Sequence, residues 1–408
     1  MAIVPIYRYL DLPTREPSKF IEGAIDFIKR YVDAEDKVES AVSGGVDSTV
    51  TTKLFHLAGA RVYADHIDTG FMRRFKGREE PSIVAEAFNY VENFSLVDEK
   101  EFFYNRVFGI EDAEEKRRAF RAAYSEVFNR LLKEHGCNVI TQGTIYPDIV
   151  ETNGGLKSQH NVQIEFEVEK IVEPIAALYK HEVRLVAKAL GFREEVYLRM
   201  PFPGPGLSIR VPGAITRDRL EMEKAVNDIV EQRIASYMER KYGKAIIFTE
   251  NGEQIPFQAF AATFKKEIME VPLDLAYKID KIIKKHHFDG KWKIKLLKTK
   301  VTGVRNGKRV YAYPLCLELD LNLDFKVLKA IGNEIPLKTG LSRVLLKLAS
   351  GEGYPVAIRV VKSKDAMIAS AMEIELSYLE EIGEEVSNIA GDVYYDLTDK
   401  PPATIEYE

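Results

Sequence analysis

The run Ser43-Gly44-Gly45-Val46-Asp47-Ser48-Thr49 combines small residues, hydroxyls and one acid in an order suited to holding phosphate. Two adjacent glycines let the backbone turn tightly, so that successive amides face one anion. The helix that follows adds unpaired N–H groups and the positive end of its dipole. Ser43, Ser48 and Thr49 add hydroxyl donors. Asp47 would repel phosphate unless a cation stood between them, so its presence predicts Mg²⁺ bridging Asp47 and a phosphate chain.

Further along, Lys180 opens a helical segment, where a cation opposes the dipole unless an anion faces it. A transferring phosphoryl group supplies such an anion, and a lysine is suited to stabilising its transition state. Asp148 and Glu151 stand three residues apart. They either present two carboxylates on one side of a turn to metal or substrate, or mark a helix N-terminus. Cys137 and Cys316 belong to no CxxC pair or Cys/His cluster, which predicts neither a disulfide nor a zinc site.

These residues need a scaffold, and the pattern from Lys37 to Pro174 supplies one. Short apolar runs at Val38–Val42, Ala60–Ile67, Phe94–Val97, Asn138–Thr141 and Ile171–Glu173 alternate with helical stretches such as Thr49–Leu57 and Glu114–Lys133. Strands separated by helices predict parallel pairing with right-handed crossovers, hence a doubly wound parallel sheet of the α/β class. Ligands then gather at the carboxyl ends of the strands. After Met200-Pro-Phe-Pro-Gly-Pro-Gly206, which can be neither helix nor central strand, the rhythm changes. A helix over Thr216–Tyr242 precedes strand-like runs at Val301–Gly303, Arg309–Leu319, Val356–Val361 and Val393–Asp396, with a helix over Leu376–Asn388. The reading is a separate α+β domain.

The 408 residues are 46% hydrophobic, enough for two or three domains at roughly 100–200 residues each. A net charge of -5 with 30% charged residues lacks the basic excess of a nucleic-acid binder and points to a small-molecule substrate. There is no signal-peptide pattern and no apolar run of about 20 residues for a membrane span. The expectation is a cytoplasmic protein that binds neither membrane nor nucleic acid.

The loop lacks the Gly-Lys-Ser/Thr ending of a Walker A sequence and resembles the PP-loop, SGGxDS, of the N-type ATP pyrophosphatases. Further blocks resemble the synthetase part of GMP synthase. His66–Arg73 is similar to its VDNGLLR segment and Thr141–Glu151 to AQGTLYPDVIE, with Leu156–Val162 following. Glu173-Pro174 and Tyr179–Arg184 resemble EPL…KDEVR, Pro201–Leu207 its PFPGPGL turn, and Tyr395–Glu408 its C-terminal signature.

This resemblance implies an adenine nucleotide alpha hydrolase-like sheet in residues 1–207. Residues 208–408 form an α+β acceptor-binding and dimerisation domain with a family-atypical insertion around 264–300. It implies ATP and Mg²⁺ as cofactors, and adenylation of xanthosine 5′-monophosphate (XMP) at O2. Ammonia then displaces AMP to give GMP. Asp47, Lys180 and Asp148 take catalytic roles, with Asp47 as metal ligand. Ser43, Gly44, Gly45, Val46, Asp47, Ser48 and Thr49 hold ATP, Phe202 with Pro203 backs the adenine, and Gly143 lets the backbone approach the base. Tyr146, Glu151, Lys400, Thr404, Ile405 and Glu406 bind the acceptor. The glutaminase domain is missing before the loop, so a separate glutamine amidotransferase subunit or free ammonia is expected. A homodimer is expected too, with the apolar Val310–Leu319 as a possible edge. The base-recognition half departs from the family near Gly307–Lys308, Gly353 and Ser363–Ser370. A second reading therefore stays open: the same adenylation on a different nucleotide-like acceptor.

Overall fold

A computed structural model describes residues 6–12, 16–153, 168–245, 247–250, 252–286, 290–319, 323–364 and 367–408. The Leu156–Val162 block lies outside these. The chain divides into two compact units. The first comprises Met1–Met72, Glu79–Arg106 and Phe120–Gly204, the second Arg73–Arg78, Val107–Ala119 and Pro205–Glu408. It crosses between them more often than a single break at 207 predicts. The two early segments are drawn to the second unit by buried ion pairs, Arg73 with Glu231 and Lys116 with Glu408.

The first unit is built on six parallel strands: β1 (Ile6–Tyr9), β2 (Lys37–Ala41), β3 (Arg61–Asp68), β4 (Asn93–Asp98), β5 (Val139–Thr141) and β6 (Lys170–Glu173), in the order β1-β6-β5-β2-β3-β4. Five match the expected runs within a residue. The sixth, β1, has all four residues exposed and no apolar pattern to announce it. Side chains alternate across a strand, and β2 shows both layers. Ser40 meets Thr52 of α1 (Val46–Leu57), Oγ to Oγ1, at 2.8 Å. The adjacent Glu39 meets His135, the last residue of α2 (Ala113–His135), at 3.0 Å. Helices therefore cover both faces, which makes the sheet doubly wound. Two more helices, α3 (Tyr146–Asn153) and α4 (Lys180–Ala189), follow β5 and β6. From β2 the chain builds outward to β3 and β4, then returns to the other side of β2 at β5. That reversal opens a crevice beyond the carboxyl ends of β2 and β5.

The second unit carries a mixed sheet ordered Gln258–Thr263, Val356–Lys362, Gly391–Asp396, Val344–Glu352, Leu315–Leu319, Trp292–Leu297, Ile268–Met269. The segment 264–300 is integral to it, giving two strands at one edge and a helix, Leu273–Lys285, packed on the helix Phe325–Thr339. Arg309–Leu319 is not one strand. Tyr313 and Pro314, a residue without an N–H to donate, separate a hairpin strand, Lys308–Ala312, from Leu315–Leu319 in the main sheet. Leu315–Leu319 pairs on both sides, with Trp292–Leu297 and Val344–Glu352. Of the stretch Val310–Leu319, Leu315–Leu317 is thus a core strand bonded on both sides rather than an edge.

The 26-residue helix Arg217–Tyr242 buries charged residues beside apolar ones such as Leu220, Val226, Val230 and Ile234. Its inward positions include Arg219, Glu223, Asn227, Asp228 and Glu231. Glu231 grips Arg73 at 2.8 and 2.9 Å, Asp228 accepts from the amides of Lys76 and Gly77, and Arg219 caps the carbonyls of Pro212, Ala214 and Thr263. Buried charges survive only when paired in this way.

Candidate active site

The loop after β2 turns at Gly44, whose φ of +75° suits glycine, and a Cβ there would meet Val84 Cγ2 at 2.6 Å. Gly45 ends the turn as the N-cap of α1 without any side-chain cap. The first amides of α1 are therefore left for an incoming anion. Ser43 Oγ lies 3.1 Å from Ser48 Oγ and receives the Gly45 amide at 3.3 Å. Ser48 and Thr49 each donate to the Gly45 carbonyl, at 3.1 and 2.8 Å. Thr49, expected as an ATP contact, is buried and spends its hydroxyl inside the loop.

Lys180 heads α4, and its Nζ is ion-paired to Asp47 Oδ2 across 133 residues of chain. Asp47 is the anion that faces this lysine in this structure, where a phosphoryl group was expected. The other oxygen, Asp47 Oδ1, is buried and has no hydrogen-bond partner. One open carboxylate oxygen beside a phosphate cradle fits Mg²⁺, which takes few protein ligands and shares the rest with phosphate and water.

A cavity of about 250 Å³ opens from this loop. Its polar wall is Ser43, Asp47, Lys180, Arg184 and Arg199, and its apolar wall includes Phe120, Tyr124, Met200, Phe202 and Pro203. An anionic chain attached to a flat ring suits that division. Arg199 donates to the Gly44 carbonyl and pairs with buried Glu80, so it braces the loop. Arg184 sits one helical turn after Lys180. The sequence reading missed both arginines, although the i, i+4 spacing of Lys180 and Arg184 on one helix was a usable signal. It also missed His66. This residue lines the cavity and is 2% exposed. Burial pushes its imidazole below the usual histidine range. A neutral ring must donate from Nδ1 to the Val42 carbonyl at 2.7 Å, leaving Nε2 as a buried acceptor with no partner.

Gly143 lies in the loop after β5, against the phosphate loop. A Cβ there would lie 2.9 Å from Asp47 C and Ser48 N, so its closeness is to the phosphate loop itself. Asp148 is exposed in the first turn of α3 and accepts the Ile145 amide at 3.1 Å, the helix-start alternative. Tyr146 is exposed and stands 5.1 Å from the Tyr179 ring. Glu151 lies in α3, with its side chain outside the described residues.

The remaining expected acceptor residues belong to the second unit. Glu406 receives Arg210 at 3.0 and 2.9 Å. Thr404 Oγ1 receives Arg343 at 2.8 Å, and Arg359 donates to the carbonyls of Thr404 and Ile405 at 2.7 and 3.1 Å. Lys400 exchanges backbone hydrogen bonds with Ala369. The tail is therefore an ordered part of this unit.

A parallel sheet with this phosphate loop at its switch point defines a nucleotide-binding synthetase fold of the PP-loop class. A family model described as the GMP synthase C terminal domain matches residues 349–407. Curated relatives match almost end to end, and each is named as one subunit of a glutamine-hydrolyzing GMP synthase. The relative from Sulfurisphaera tokodaii is 35% identical, covering 96% of this chain and 99% of its own length. The same subunit from Saccharolobus solfataricus is 36% identical (96% and 100% covered), and that from Archaeoglobus fulgidus 32% (96% and 99%). Among solved structures, NMN synthetase from Francisella tularensis is similar at 13% identity over 47% of this chain and 78% of that one, with a TM-score of 0.36. The chain belongs to this family of GMP synthase subunits.

Proposed function

We propose that the chain is the ATP-dependent ligase component of a two-subunit GMP synthase, converting XMP, ATP and ammonia to GMP, AMP and pyrophosphate. The observation that carries this reading is the Asp47–Lys180 pair at an uncapped helix start, in a chain of this family. The open amides of α1 and the Gly44–Gly45 turn receive the pyrophosphate end of ATP. Lys180 exchanges Asp47 for the α-phosphoryl oxygens and steadies the charge that grows there as XMP O2 attacks phosphorus and pyrophosphate leaves. Asp47 would hold Mg²⁺, which would supply charge neutralisation along the phosphate chain. Phe202 and Pro203 back the adenine. Ammonia then adds at C2, loses a proton and expels AMP.

Of the residues that would bind the acceptor, Tyr146 and Glu151 belong to the first unit and Lys400 to the tail of the second. Thr404, Ile405 and Glu406 shape that tail through the arginines that hold them. Asp148 acts through the start of α3. The relatives' names do not favour a different acceptor. Their designation as one subunit of several supports a separate glutamine amidotransferase as ammonia source. We place the enzyme in the cytoplasm, without a nucleic-acid partner. Among the described residues no helix is long and apolar enough to cross a membrane. A homodimer rests on the family resemblance alone, and the mass in solution tests it.

The test is to measure AMP and GMP with ATP, Mg²⁺ and ammonium, with and without XMP. Equal amounts of AMP and GMP, formed only with XMP, are expected. AMP release that ignores XMP would overturn the reading.

A further inference from the structure

A second polar cluster lies in the first unit, and none of its members lines the cavity. Glu39 on β2 and Asp65 on β3 share one face of the sheet, because Glu39 registers with Tyr63 and Ala41 with Asp65. Both carboxylates are shut from solvent, at 0% and 1% exposure. His135, at the end of α2, brings Nδ1 to 3.0 Å from Glu39 Oε2 and 3.4 Å from Asp65 Oδ2. The Tyr63 ring stacks on this imidazole at 4.7 Å and fixes its plane. Cys137, two residues on and buried, completes the group: its sulfur, the His135 nitrogen and a Glu39 oxygen all lie within 4.8 Å of one another.

Three oxygens in this cluster, Glu39 Oε1 and both of Asp65, are buried without a hydrogen-bond donor. Ser95 stands opposite Asp65 on β4. Lys37 gives its Nζ to the His135 carbonyl at 2.8 Å, not to the acids. A protein core rarely leaves so many acceptors open.

We propose that Glu39, His135 and Cys137, with Asp65 against His135, form a structural site for one divalent ion of the zinc class. A sulfur, a nitrogen and carboxylate oxygens are the donor types zinc accepts. Bonds of about 2.0–2.3 Å imply a tetrahedron with edges of about 3.3–3.8 Å; the 3.4 Å between His135 and Asp65 lies within that range and the 3.0 Å to Glu39 just below it. Binding balances two carboxylates, and the protons of the Cys137 thiol and of any protonated acid pass to solvent. The ion would pin β2, β3 and the approach to β5, the strands around the switch point, through a ligand on the very strand that leads into Ser43. The fold brings His135 and Cys137 to acids far away in sequence, a grouping that local Cys and His spacing does not show.

Cobalt is a suitable probe, because tetrahedral Co²⁺–thiolate absorbs in the near ultraviolet and visible. The full chain, stripped with a chelator and titrated with Co²⁺, is expected to bind one equivalent with a thiolate band. Zn²⁺ displaces it. Cys137→Ser abolishes the band, and Cys316→Ser, which alters the only other cysteine, keeps it. Glu39→Gln and His135→Gln each weaken cobalt binding at least about tenfold, a readout that survives should Cys137→Ser fold poorly. Metal bound at Asp47 gives no thiolate band, so the two sites are distinguishable. No band at one equivalent of Co²⁺ in the intact chain, or a band retained in Cys137→Ser, overturns the proposal.

Discussion

Asp47 carries two jobs on two oxygens, one paired to Lys180 and one left open. Lys180→Ala is therefore expected to lower kcat by about 10²–10³ with little change in the KM for XMP, measured as AMP release. A change confined to KM would show that the lysine only binds. Gly143 gives a subtler case. Its substitution by Ala pushes a methyl into the backbone at Asp47 and Ser48, so the KM for ATP should rise at least several-fold. An unchanged KM would mean that the phosphate loop tolerates displacement. The loop was legible in sequence because its chemistry is local: two glycines, an acid and hydroxyls within seven residues. Arg199, His66 and the cluster at Glu39 were not, since each acquires meaning only from partners brought close by the fold.

Most strands of the parallel sheet announced themselves through short runs containing buried apolar residues, as in β3 and β5. The exposed β1 did not. In the helix Arg217–Tyr242, buried charges such as Glu223, Asp228 and Glu231 share the inner face with Leu220, Val226 and Val230 and look in sequence like surface residues. The tail is held in the same manner. Asp396 Oδ2 receives Arg343 at 2.8 Å, Arg359 at 2.9 Å and the Tyr407 hydroxyl at 3.0 Å, all deeply buried. Asp396→Asn leaves two arginines uncompensated and should cost about 3–5 kcal/mol in urea unfolding. Removing the exposed Lys293–Glu318 pair should cost at most about 1 kcal/mol. Similar losses would mean that the buried network is solvated.

At the end of β6, Glu173 accepts Thr144 at 2.5 Å and also the Tyr7 hydroxyl. Burial raises this acid from 4.5 to about 8. A carboxyl raised on folding stabilises below its unfolded value, and that stability is lost as pH climbs through the folded one. The melting temperature should thus decline between pH 4.5 and about 8, and Glu173→Gln should flatten the decline. An identical slope in the variant would assign it elsewhere.

For the molecule as a whole, the proposed division of labour predicts GMP formation from ammonium but not from glutamine. Glutamine should serve once the amidotransferase subunit is added. Glutamine hydrolysis by the purified chain alone would contradict a separate subunit. The order in which the chain is made matters as well. Lys116, wholly buried, donates to the carbonyls of Val211 and Gly213 and to the carboxylate of Glu408, 292 residues later. The first unit has all its segments once residue 204 has emerged, yet the second borrows residues 73–78 and 107–119 from within that stretch. At roughly 5–20 residues per second of synthesis, Lys116 waits on the order of 15–60 s for its partner. During that interval the nascent chain carries a charged gap in the second unit's unfinished core, and only the arrival of residue 408 can close it.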